Sequence, residues 1–121
     1  MKTAAIDLGT NTFHLVIAER LENGLNILYK TNKPVKLGED ITKNNQIIPS
    51  AFERGIDCLA EYADILRQYK VKKIRAVATS GVRSAKNGQL FIDAIKQKTG
   101  LTIEIIDGNE EAQLIYEGVK L

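Results

Sequence analysis

The residues with the most chemical potential sit between two apolar runs near the start of the chain, in Ala4 to Ala18, AAIDLGTNTFHLVIA. Asp7 closes the first run, Leu8-Gly9-Thr10-Asn11 turns the chain, and the second run leaves from Thr12. Gly9 can supply positive φ and close backbone approach without a Cβ penalty. A tight turn of this kind aims successive N–H groups at one point, a nest that suits an oxyanion and phosphate above all. A carboxylate at its mouth would repel a bare phosphate. Asp7 makes chemical sense there if a hard divalent cation lies between them, because Mg²⁺ takes oxygen ligands and bridges to phosphate oxygens. Thr10, Asn11 and Thr12 add hydroxyl and amide groups. The same residue types also make an ordinary hairpin, and spacing alone leaves both readings open.

Two later segments carry similar chemistry. Thr79-Ser80-Gly81 ends an apolar run and leads into Val82-Arg83-Ser84. Small hydroxyl residues and a glycine at a strand's C-terminal end are what an open α/β sheet uses to line a ligand crevice. Arg83 offers a bidentate fork to phosphate oxygens, or a surface salt bridge. Further on, Asp107-Gly108-Asn109-Glu110-Glu111 follows the apolar run Leu101 to Ile106. Acidic residues in the first turn of a helix favour its dipole, which accounts for Glu110 and Glu111 without any function. The alternative is a carboxylate projecting into the same crevice as Asp7 and orienting a water.

The elements that must position these groups follow from periodicity. Lys2 to Leu8 reads as a central strand, with Ala4, Ile6 and Leu8 on one face and Ala5 and Asp7 on the other. Asn11 to Ala18 alternates Phe13, Leu15 and Ile17 against His14, Val16 and Ala18. His14 is either a phosphate or water contact or a half-buried strand residue. Leu25, Ile27 and Tyr29 form a third strand, completing an antiparallel meander. Lys30 to Pro49 reads as a long loop with a short extended piece at Pro34 to Leu37. Its lysines Lys30, Lys33, Lys36 and Lys43 either meet a polyanion or simply solvate that loop.

A helix is expected from Ser50, whose pairing with Glu53 matches a capping box. Phe52, Ile56, Leu59, Ala63 and Leu66 form its core stripe, and the helix ends near Tyr69 or Lys70. Cys58 within it reads as a packing residue. Val71 to Thr79 is the next strand. Asn87 caps a second helix with apolar Leu90, Phe91, Ala94 and Ile95, and Gly100 ends it. Leu101 to Ile106 is a fifth strand, followed by a last helix carrying Ala112, Leu114, Ile115 and Val119. The order is β-β-β-α-β-α-β-α, a meander followed by two right-handed crossovers onto a parallel extension. If the first and fourth strands are neighbours, all three polar segments meet at one sheet edge.

Composition narrows the classes. A chain of 121 residues, 44% hydrophobic, makes one domain or one lobe of something larger. Seventeen basic and fifteen acidic residues are too balanced to argue for nucleic acid or a membrane surface. The start reads as neither signal peptide nor membrane anchor, which points to a cytoplasmic protein. One cysteine and one histidine remove an internal disulfide, a Cys-based zinc site and any His cluster.

Taken together, Asp7-Leu8-Gly9-Thr10-Asn11-Thr12-Phe13-His14, Ala78-Thr79-Ser80-Gly81-Val82-Arg83 and Asp107-Gly108-Asn109-Glu110-Glu111-Ala112 resemble the exopolyphosphatase/guanosine pentaphosphate phosphohydrolase (Ppx/GppA) family. The resemblance spans nearly the whole chain. It implies an α/β, ribonuclease-H-like lobe of the actin/hexokinase/heat-shock-chaperone ATPase superfamily. It also implies Mg²⁺-dependent hydrolysis of a terminal phosphoanhydride in polyphosphate or guanosine pentaphosphate. By motif position, Glu111 would position or deprotonate the attacking water and Asp7 would hold the metal. Gly9, Thr10, Asn11, Arg83 and Gly108 would bind phosphate. The family places its site between two lobes, so residues 1–121 look like an N-terminal lobe whose partner is the C-terminal lobe of the same protein. Full family enzymes tend to form homodimers. Competing expectations are a nucleotide-binding or sugar-kinase-type lobe of the same superfamily, and a non-catalytic sensor of a phosphorylated ligand.

Overall fold

In a computed structural model of the chain, residues 2–38, 45–78, 82 and 85–106 are described. Three strands open the fold: β1 (Lys2–Leu8), β2 (Thr12–Leu21) and β3 (Gly24–Pro34). Helix α1 (Pro49–Tyr69) leads to β4 (Lys73–Ala78), and α2 (Gly88–Thr99) leads to the short β5 (Glu104–Ile105). The sheet order is β3-β2-β1-β4-β5. The β1–β2 and β2–β3 pairs are antiparallel, whereas β4 lies parallel to β1 and β5 parallel to β4. The fold is thus the expected meander with a parallel extension, and β1 is its central strand.

Alternation along β1 sets the core. Ala4, Ile6 and Leu8 stand opposite Ile17, Leu15 and Phe13 on β2, and opposite Ile74, Ala76 and Ala78 on β4. Phe13, Leu15 and Ile17 are fully buried. This row packs into one cluster with Leu59, Tyr62 and Leu66 of α1 and Phe91 and Ile95 of α2. Burying side chains of this size contributes about 1.5–3 kcal/mol each. The two helices meet through an edge-on pair, Phe52 and Phe91, with ring centroids 5.1 Å apart. Tyr62 is buried and donates its hydroxyl to the Phe13 carbonyl at 2.9 Å, tying α1 to β2.

Several local expectations are corrected. Residues Lys30 to Pro34 are not loop but the second half of β3, an edge strand whose Lys-Thr-Asn-Lys sequence carries polar residues that an edge tolerates. The Ser50 capping box does not form: the helix starts one residue earlier, with Ile48 as N-cap and Pro49 in the first turn. Proline is pre-organised for that position and lacks the N–H that would go unbonded. The Phe52 N–H reaches the Ile48 carbonyl at 2.9 Å. Asn87 does occupy the N-cap of α2, but its side chain makes no cap bond. It bridges Ile47 instead, with Oδ1 accepting from the Ile47 N–H at 2.8 Å and Nδ2 donating to the Ile47 carbonyl at 3.0 Å. Leu90 is 63% exposed, and Ile92 takes its expected place in the core. β4 is shorter at its start than expected, and Ile74 is 41% exposed. Gly100 ends α2 in the left-handed region, as expected. The expected last helix lies outside the described residues.

Candidate functional site

The site is built where β1 ends. In the sheet, Leu8 is level with Ala78, and Ala78 is level with Ile105. The Ile106 N–H donates to the Ala78 carbonyl at 3.0 Å, which continues this alignment past β5. Strands β1, β4 and β5 therefore release the chain at one sheet edge. Asp7 and the 9–11 turn are described there. Thr79, Ser80, Gly81 and Arg83 follow β4 in sequence, and Gly108 and Glu111 follow β5, but these residues lie outside the described ones.

Asp7 pairs with His14 on one side and Val77 on the other, so it projects from the sheet face opposite the one covered by α1 and α2. Its Oδ1 is buried, with no hydrogen-bond partner among the described residues. A buried acceptor left unpaired costs about 1–3 kcal/mol, so such an atom is retained where something else meets it. His14 is exposed on the strand, so it is not the half-buried strand residue that one reading expected.

The turn itself is held by its carbonyls. Gly9 donates its N–H to the Thr12 carbonyl at 3.1 Å, and a Cβ at Gly9 would stand 2.9 Å from that oxygen. Glycine is required here by close approach. The expected positive φ is not found, because Gly24 and Gly100 are the glycines with that conformation among the described residues. The segment Val35–Gly38 straps the turn from outside: Lys36 donates its N–H to the Asn11 carbonyl and Gly38 to the Thr10 carbonyl, each at 2.8 Å. Arg54 of α1 locks the strap by donating to the Val35 carbonyl at 2.8 Å and the Lys36 carbonyl at 3.3 Å. With the turn's acceptors engaged, the N–H groups of Thr10 and Asn11 have no backbone partner among the described residues. Both residues are exposed. The arrangement leaves two backbone donors without a backbone partner, three and four residues after a carboxylate with a buried oxygen, which suits an anion bridged by a cation.

The expected extended piece at Pro34 to Leu37 is the end of β3 and this strap, turned by the left-handed Lys36, and its hold on the 9–11 turn is what sequence reading missed. Its only sequence signal is the alternation of buried Val35 and Leu37 around exposed Lys36. Among the described residues no group of three or more His, Cys, Asp or Glu side chains could hold a metal by itself. No helix among them is long and apolar enough to cross a membrane.

Comparison with known proteins agrees with this architecture. The chain is 37% identical over 116 residues to a guanosine-5'-triphosphate,3'-diphosphate pyrophosphatase of Aliivibrio fischeri, covering 96% of the chain but 23% of that relative. It superposes on the Aquifex aeolicus member of the Ppx/GppA family with a TM-score of 0.93 at 30% identity, covering 98% of this chain and 39% of that one. An exopolyphosphatase from Cytophaga hutchinsonii superposes with a TM-score of 0.91 at 39% identity, covering 98% and 38%. A ROK hexokinase from Thermus thermophilus shares the fold alone, with a TM-score of 0.58 at 17% identity. A model of the Ppx/GppA phosphatase family matches residues 16–120, and to that family the chain belongs.

Proposed function

We propose that this chain is the N-terminal lobe of a cytoplasmic phosphohydrolase that releases terminal phosphate from a phosphoanhydride chain, either polyphosphate or guanosine pentaphosphate. The observation that carries this reading is the buried Asp7 Oδ1, unpartnered among the described residues, followed by the turn whose Thr10 and Asn11 N–H groups have no backbone partner there. The named activities of the relatives support the same reaction class.

In this reading the Thr10 and Asn11 amides and the Thr10 hydroxyl cradle the terminal phosphate, the Gly9 N–H being committed to the Thr12 carbonyl, while Gly108 adds a further contact and Arg83 binds the equatorial oxygens. Glu111 orients a water and accepts its proton. The water oxygen bonds to the terminal phosphorus as the bridging P–O bond breaks, and the shortened chain leaves as an oxyanion. Such transfer depends mainly on positioning and charge stabilisation. Mg²⁺ fits the donor present, since it is commonly held by one or two carboxylates together with substrate phosphates and water. Asp7 would hold it, and when bound it would neutralise charge on the phosphate oxygens. The chain spans 23% of the Aliivibrio relative, and the reading assigns the opposing phosphate contacts to a C-terminal lobe.

The test is phosphate release from long-chain polyphosphate and from guanosine pentaphosphate, comparing this chain with a longer form that includes the second lobe. Metal-dependent release by the longer form only, abolished by Glu111→Gln while binding persists, is the expected result. Binding of phosphate chains with no release from either form would leave a sensor and remove the catalytic role of Glu111.

A further inference from the structure

Lys36 is a lysine where the backbone favours glycine or asparagine. Its φ is 53°, in the left-handed region that costs an ordinary residue about 1–2 kcal/mol. Buried Val35 and Leu37 fix it on both sides, and its own N–H and carbonyl are bonded to Asn11 and Arg54. Its side chain is left exposed, next to the exposed Thr10 and Asn11. Strained non-glycine positions of this kind cluster at ligand clamps.

The neighbouring lysines are placed differently. Lys33 is paired with Glu61. Lys30 lies further back along β3, level with Val16 rather than with the turn. Lys36 has no acidic partner among the described residues. Of these three, only Lys36 combines an uncommitted ammonium with attachment to the phosphate-binding turn. A lysine ammonium is a compact charge on a flexible stem, suited to oxygens whose positions vary from one chain to the next.

We infer that Lys36 is a substrate-positioning residue that engages phosphates of the chain beyond the one released, and so favours a phosphate chain over orthophosphate. This rests on the phosphate-binding reading of the 9–11 turn. A chain whose terminal phosphate sits in that turn must pass outward over exposed residues, and Lys36 is the exposed lysine whose backbone is bonded to the turn itself.

The test is calorimetric binding of tripolyphosphate and of orthophosphate, in the presence of Mg²⁺ and at several salt concentrations, with Lys36→Gly, Lys36→Arg and Lys73→Ala. Lys36→Gly removes the ammonium and suits the left-handed backbone, so the fold is retained; the urea midpoint checks this. Lys73→Ala removes one exposed charge from the other end of the sheet. Lys36→Gly is expected to weaken tripolyphosphate binding about fivefold to tenfold, with orthophosphate binding unchanged. Its salt dependence should become shallower by roughly 0.7 in log–log slope, the value per contact for single-stranded nucleic acids. Lys36→Arg should retain most of the affinity, and Lys73→Ala all of it. Wild-type tripolyphosphate affinity in Lys36→Gly, or equal losses in Lys36→Gly and Lys73→Ala, would overturn the role of Lys36 and leave the turn as a phosphate site. No binding of either anion by the unmodified chain would overturn the phosphate reading of the turn and Lys36 with it.

Discussion

Gly38 donates its N–H to the Thr10 carbonyl at 2.8 Å, and a Cβ at Gly38 would stand 2.2 Å from the Thr10 methyl. The strap and the turn are therefore in contact at a point that admits no side chain. Gly38→Ala should cost about 1–3 kcal/mol, the range for overpacking, because threonine is β-branched and its methyl can move only by turning a stiff χ1. Thr10→Ser removes the methyl while keeping the hydroxyl. In the double variant most of the loss should return, and urea midpoints of the four proteins give the coupling directly. Additive losses would mean that the clash is relieved by backbone movement instead.

The sequence made the frame of the site legible because β1 and β2 alternate cleanly and Asp7 sits at the end of one of them. Convergence on one edge followed once β4 paired with β1, which periodicity alone does not dictate. What remained hidden was set by contacts distant in sequence. Gly38 looks like any loop glycine until Thr10 is placed against it. Ser50 and Glu53 have the right spacing for a capping box, yet Pro49 starts the helix ahead of them. Asn87 is the residue type of a cap, and its amide is committed to Ile47, forty residues away. Lys30 to Pro34 read as loop because an edge strand may be polar on its outer side.

Asn87 offers a test that separates its two possible duties. Asparagine and aspartate are nearly equivalent as N-caps, so a capping role predicts that Asn87→Asp is neutral. The bridge to Ile47 needs one donor and one acceptor, and Ile47 is 2% exposed. Aspartate keeps the acceptor, loses the donor and sets a carboxylate against the Ile47 carbonyl. Asn87→Asp should therefore cost at least about 1 kcal/mol, and Asn87→Ala about 2–4 kcal/mol for two unpaired backbone groups. A neutral Asn87→Asp would show that the bridge contributes little.

Burial gives α1 an alkaline limit. Burial raises the Cys58 thiol above its ordinary value of 9.0, with the Tyr62 hydrogen bond and the Lys33 charge opposing that shift. Burial also raises the Tyr62 hydroxyl far above its ordinary 10.0, with a further contribution from Cys58. Both groups stay protonated in the folded chain when the unfolded chain has begun to release its protons. Their contribution to stability is complete below pH 9.0 and declines as pH rises through 9.0 and then 10.0. Each can remove up to about 1.4 kcal/mol per pH unit above its unfolded pKa. The stability gap between the native chain and Cys58→Ala, measured by urea unfolding, should narrow from about pH 8 to about pH 10. A constant gap would mean that Cys58 ionises as readily in the folded state.

The Asp7 oxygen supplies the last prediction. If Oδ1 is held unpaired for a cation, the carboxylate is a liability when no cation is bound. Asp7→Asn should then match or exceed the native chain in stability in chelator. Added Mg²⁺ should reverse the order. At ten times its dissociation constant the ion would stabilise the native chain by about 1.4 kcal/mol, a shift of several degrees in melting temperature for a domain of this size. Asp7→Asn should show little of that shift. Including tripolyphosphate should enlarge the difference, because the phosphates supply ligands that one carboxylate lacks. Equal Mg²⁺ responses from the two proteins would take Asp7 out of the metal site and leave its buried oxygen without a cation to explain it.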